Sequence, residues 1–241
     1  MTKHFIPDKY QILSGSMLKI LALVTMIIDH IASVFLRSNP TVLVTILGRT
    51  ITLYTAMRFI GRLSFPIYAF LLVEGFMHTS NRRNYAIRIL VFSLISEVAW
   101  DLEHFNGFNM GSQNVFFTLF LGLLGMFVLS QIEEQGPDIR KIAALVMLII
   151  LSVILKCDYG ISGFGFIVML YILRNNRLYQ AVVGACFLAS RWQAGLAFIP
   201  ISLYNGKRGF INTRTLSNLF YLAYPLHMLI LYYIKLKSTG Y

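Results

Sequence analysis

Runs of apolar residues bounded by charged or turn-forming positions recur along the chain, near 17–36, 60–78, 85–102, 114–131, 140–156, 160–174, 178–190, 193–204 and 216–236. A membrane-crossing helix needs about 20 mostly apolar residues at about 1.5 Å of rise each, so most of these runs read as transmembrane helices. The pattern predicts an all-α, polytopic membrane bundle of about nine helices, nine to ten at most, forming one compact domain over residues 1–241. Runs 178–190 and 193–204 are short for a crossing and flank Arg191-Trp192-Gln193, which suggests a tight hairpin or a broken helix. A tenth apolar stretch, 41–57, is rich in β-branched residues and interrupted by Gly48-Arg49, so its status must be settled by charge.

Lys and Arg collect in cytoplasmic loops of membrane proteins. If 41–57 does not cross and the N-terminus is cytoplasmic, thirteen of the 21 Lys and Arg face inward, among them Lys3, Lys9, Lys19, Arg82, Arg83, Arg140, Lys141, Lys207 and Arg208. A crossing there would move the Arg82-Arg83 loop and all that follows to the other side. The segment 41–57 therefore reads as an outer-face, interfacial or re-entrant element, and the expected location is the cell membrane with a cytoplasmic N-terminus.

Composition agrees with this picture: 57% of residues are hydrophobic, 13% are charged and the mean hydropathy is +0.68. The net charge of +11 then reflects basic loops against anionic lipid headgroups, and nucleic acid is not an expected partner. Cys157 and Cys186 lack CxxC spacing and sit in apolar surroundings, so they read as two inert buried thiols, with no metal site and no disulfide framework. The first residues, MTKHFIPDKYQILSGS, show no apolar signal-peptide core.

Ionisable residues inside apolar helices are costly and mark function. Helix 1 carries Lys19 near its inner end and Asp29-His30 in its outer half. Lys19 and His30 are eleven residues apart, which places them on nearly one face and roughly 16 Å apart along the axis. That spacing suits a long ligand entering from the cytoplasm, with a cation at its charged end and a base at its reactive end. A snorkelling Lys19 and a packing His30 are the structural alternatives. Asp29 points about 100° away from His30 and should meet a group on another helix.

Other spans contribute more candidates. Helix 2 holds Arg62 and Glu74 around Pro66, a probable kink, and helix 3 holds Glu97 and Asp101 on one face, where pairing with Arg62 is the structural alternative. Asn114 and Asp158 read as helix caps. In the last helix Tyr224 and His227 share a face beside Pro225. By depth, Asp29, His30, Arg62, Glu97, Asp101, Tyr224 and His227 are expected to converge. No GxSxG, Walker loop or HExxH motif competes.

The segments LKILALVTMIIDHI, GRLSFPIYAFLLVEGF, DYGISG and YLAYPLHML resemble those of TraX-type membrane proteins, whose founding activity is N-terminal acetylation of conjugative pilin. The resemblance covers most of the chain. Lys19-x10-His30 also resembles the Arg/Lys-x10-His signature of transmembrane acyltransferases of the acyltransferase-three type, in which the His is catalytic and the donor is cytoplasmic acyl-CoA. These likenesses imply an acetyltransferase that uses acetyl-CoA, with a peptide N-terminus or a sugar as acceptor. On that reading His30, Asp29, Glu97 and His227 are the catalytic candidates, and Lys19, Arg62, Arg82 and Arg83 are the candidates for holding the donor. The rival expectation is a proton-coupled transporter or flippase built on the same buried charges. A non-enzymatic scaffold needs no buried charge and accounts for least.

Overall fold

The computed structural model describes residues 5–38, 41–46 and 49–239. Helices dominate. They are α1 (Gly15–Ile31), α2 (Leu53–Gly61), α3 (Ser64–His78), α4 (Arg82–Phe105), α5 (Val115–Gln135), α6 (Ile139–Ile154), α7 (Gly160–Ile172), α8 (Arg177–Phe187), α9 (Trp192–Gly195), α10 (Phe198–Ser202) and α11 (Arg214–Thr239). Each expected run carries helix, but not nine full-length spans.

Among the described residues, four stretches are long and apolar enough to cross a membrane: Gly15–Leu36, Leu53–His78, Val115–Gln135 and Arg214–Ser238. The expected count of about nine is corrected to these four on length and composition. Helix α4 has the length but carries Arg82, Arg83, Arg88, Glu97, Asp101 and Glu103, while α6, α7 and α8 have only 16, 13 and 11 residues. The 193–204 run breaks into two short helices, as expected of a segment too short to cross.

The segment 41–57 is an antiparallel hairpin, β1 (Val42–Ile46) with β2 (Arg49–Thr52), running into α2. Its β-branched residues favour extended backbone, and an open two-stranded hairpin cannot satisfy its edges in lipid, which excludes it as a spanning element. Gly48 lies outside the described residues. The chain turns between α2 and α3 at Arg62-Leu63, upstream of the kink expected at Pro66. Pro66 instead occupies the first turn of α3, where a missing N–H costs nothing.

The described residues gather into two compact units. Unit 1 holds residues 69–180. Its apolar centre joins Leu121 of α5, Leu148 of α6, Cys157 and Phe164 of α7. Gly122 lets α5 approach α7 closely, since a Cβ there would stand 2.6 Å from Ile167. Asn114 caps α5 as expected, accepting from the Phe116 N–H, whereas the cap position of α7 is Tyr159 and not Asp158. Unit 2 holds residues 5–68 and 181–239. There α1 begins at the Ser14 cap and is anchored by Ser16, whose hydroxyl donates to the Arg208 carbonyl and accepts the Ile211 N–H. Just past Asp29-His30 the helix widens into a π turn over Ala32–Leu36.

Candidate functional site

In unit 2, α1 and α11 bring together the two histidines that the sequence marks independently. His30 Nδ1 lies 2.6 Å from His227 Nε2, and the rings are within 12° of parallel with centroids 4.9 Å apart. The excess of the centroid distance over the N···N distance is 4.9 − 2.6 = 2.3 Å, close to two imidazole radii. The rings therefore meet edge to edge, with the bond nearly in their planes, and not face on face. Tyr224, one helical turn from His227 and buried, sets its ring edgewise against both, with centroids 6.2 and 5.6 Å away.

The bond network sets the tautomers. His227 Nδ1 lies 2.9 Å from the Ala223 carbonyl oxygen, which only accepts, so Nδ1 carries a proton and the neutral ring offers its Nε2 lone pair. His30 must then donate from Nδ1. The remaining lone pair of the neutral pair resides on His30 Nε2. A proton arriving there makes an imidazolium whose Nδ1 proton can pass to His227, so the pair is built to take up a proton and delocalise it.

Asp29 points to another helix, as its offset from His30 requires, and its partner is Arg58 of α2, which donates a charge-assisted hydrogen bond to Oδ2. The Arg62 charge at the end of α2 acts on the same carboxylate. Gly61 makes room for this contact, because a Cβ there would stand 2.2 Å from Asp29 Oδ1. On its Nδ1 side His30 is bonded to the ring of His227. Arg58 was missed because it follows the segment 41–57 and reads as part of an interfacial run, although its i,i+4 spacing from Arg62 is a visible signal. Lys19 is half-buried on α1.

The remaining candidates belong to unit 1. Glu97 of α4 accepts from both the backbone and the side-chain amide of Asn114, and Asp101 accepts from the Asn109 N–H at 3.1 Å. Among the described residues no Lys or Arg forms an ion pair with either carboxylate. Arg82 lies over the Phe76 ring at 4.6 Å and reaches Ser130 at 3.2 Å, while Arg83 is exposed. Glu74 is buried against Arg177 at 2.7 Å, and Arg177 in turn donates to Gln180. Within unit 2 His30, Tyr224 and His227 come together, with Asp29 adjacent to His30 in sequence, and within unit 1 Glu97 and Asp101 lie on one face of α4. Of the thiols, Cys157 is buried and burial pushes it up to about 11, whereas Cys186 is exposed, contrary to expectation.

A family profile described as "TraX protein" matches residues 14–235, which includes α1 through most of α11. One curated relative, the probable fimbrial assembly protein FimC, serogroup H1, of Dichelobacter nodosus, is 30% identical over 251 residues, covering 90% of this chain and 94% of the relative. No solved structure matches.

Proposed function

The chain belongs to the TraX family, and on that premise we propose that it is a membrane-embedded acetyltransferase that moves an acetyl group from cytoplasmic acetyl-CoA to an amine or hydroxyl acceptor at the outer part of the membrane. The relative's role in fimbrial assembly supports a pilin-type peptide as that acceptor. The observation that carries the reading is the in-plane His30–His227 hydrogen bond with the basic lone pair on His30 Nε2.

In this reaction the acceptor nitrogen or oxygen attacks the thioester carbonyl carbon. A C–N or C–O bond forms and the C–S bond breaks. His30 Nε2 takes the acceptor's proton as general base, His227 shares the charge through the ring-to-ring bond, and the proton leaves with the coenzyme A thiolate as free thiol. The donor-holding role falls to Lys19, whose charge suits the coenzyme's phosphates. Asp29 acts through Arg58 as a positioning residue that holds the end of α1. The spans beyond the four long apolar ones are completed by the shorter helices, with the N-terminus and the Arg82-Arg83 turn cytoplasmic. A cysteine placed at Arg83 should resist an impermeant maleimide in intact cells; labelling there would reverse the orientation.

Purified protein in detergent, given acetyl-CoA and a pilin-type peptide, should release free thiol. His30→Ala and His30→Gln should keep the fold and cut turnover by about 10²–10⁴, the usual contribution of a positioned acid–base group. The rate should fall as pH drops, because a protonated pair cannot accept the acceptor's proton. A hydrogen-bonded histidine pair also serves as a proton pathway, which keeps a proton-coupled transporter as the second reading. No thiol release with any amine or hydroxyl acceptor, together with proton flux in proteoliposomes that His30→Ala abolishes, would replace the enzyme by that transporter.

A further inference from the structure

The buried face of α4 contains polar atoms that neither the fold nor the proposed chemistry uses. Ser93, Ser96, Glu97, Trp100 and Asp101 fall within an arc of about 140° at 100° per residue. Ser96 is 0% exposed, Asp101 2% and Trp100 6%. Each carboxylate has one oxygen pinned by an amide N–H: Glu97 Oε2 by Asn114, and Asp101 Oδ2 by Asn109. The other oxygens, Glu97 Oε1 and Asp101 Oδ1, have no hydrogen-bond partner among the described residues, and neither do Ser96 Oγ and Trp100 Nε1. Leaving a buried polar atom unmatched costs about 1–3 kcal/mol, and more for a charged one, so four on one face of α4 call for a partner.

The chemistry of these atoms restricts the guest. Two carboxylate oxygens without an ion-pair partner call for positive charge, and three acceptors call for three donors. No group of three or more His, Cys, Asp or Glu that could hold a metal ion occurs among the described residues. A primary ammonium offers one positive charge and three N–H donors in a compact head. We infer that Ser96, Glu97 and Asp101 form a binding site for a primary ammonium group, with Trp100 Nε1 donating to an oxygen on the same guest. The loop 106–114, where Phe108 and Met110 are more than three-quarters exposed, lies beside Asp101 through the Asn109 contact and gives the approach to the site. This is an assignment of binding, read without turnover; where the guest is a peptide N-terminus it rests on the acceptor proposed above.

The chain has two tryptophans, Trp100 and Trp192, so Trp192→Phe leaves Trp100 as a fluorophore inside the site. Full-length protein carrying that change, in phosphatidylcholine nanodiscs, would be titrated with glycinamide, N-acetylglycinamide and tetramethylammonium at constant ionic strength. Glycinamide should shift the Trp100 emission saturably, and the blocked peptide and quaternary cation should bind about tenfold or more weaker. Glu97→Gln and Asp101→Asn, near-isosteric changes, should each weaken glycinamide by about tenfold, the scale of one charge-assisted hydrogen bond. Nanodiscs containing phosphatidylethanolamine separate the two sources of a primary ammonium: emission already shifted there and reversed by competition assigns a lipid headgroup, and a response to glycinamide alone assigns a peptide N-terminus. Equal responses to glycinamide and N-acetylglycinamide in the parent protein, or wild-type affinity in the Glu97→Gln/Asp101→Asn double variant, would overturn the site. His30→Ala should lose turnover and keep this titration, so the failure of one assignment is distinguishable from failure of the other.

Discussion

In unit 2 the Asp29 carboxylate is held by Arg58, and the nitrogens joining His30 and His227 have directions that a backbone carbonyl determines. In unit 1 Glu97 and Asp101 are held by neutral amides on one oxygen each; among the described residues their second oxygens, like Asp29 Oδ1, have no hydrogen-bond partner, and no Lys or Arg forms an ion pair with either carboxylate. Both groups sit among apolar helices, where an ionised carboxylate loses solvation. A carboxylate beside a cation is part of the scaffold, whereas two carboxylates oriented only by neutral donors have no cation of their own among the described residues. In the readings proposed above, the first arrangement fixes the frame around a proton relay and the second makes a receptor.

The comparison can be broken most severely at Arg58. Removing one partner of a largely buried ion pair leaves the other charge without compensation, at about 3 kcal/mol or more. Arg58→Ala should therefore lower thermal stability strongly, and the double variant Arg58→Leu/Asp29→Leu should recover most of the loss. If Arg58→Ala melts like the parent, Asp29 is not scaffolded by the ion pair.

Asn114 sharpens the same contrast with a smaller effect. It caps α5 and positions Glu97, so Asn114→Ala should cost about 1–2 kcal/mol from the lost cap while releasing Glu97. Asn114→Ser should restore the cap and not the second bond. Glycinamide affinity, measured by Trp100 emission, should then fall in both variants while stability recovers only in Asn114→Ser; recovery of both would show that Asn114 matters to Glu97 only through the helix.

Several features were legible because they are local. Apolar runs located the helices, the β-branched and interrupted composition of 41–57 set it apart from them as the hairpin it forms, and Asn114 carried the signature of a cap. The count of long spans is overestimated from sequence because short apolar runs read as crossings: the runs 140–156 and 160–174 are helices 139–154 and 160–172, parted by the turn around Cys157 and too short for a full span. Proline position misled in the same way, because Pro66 is as compatible with a first turn as with a kink.

Periodicity and the cost of burying charge were enough to single out His30 and His227 separately, each from its own helix. Their union spans 197 residues of chain, and no pattern within either helix contains that information. The packing of α1 beside α11 decides it, as the packing of α1 beside α2 decides that Asp29 meets Arg58. Helical period and solvation cost are properties of neighbouring residues, so sequence determines which side chains turn inward. Which inward side chains meet depends on how the helices dock, and that is settled only when their surfaces close on one another and each buried polar atom must find a partner or be left for a ligand.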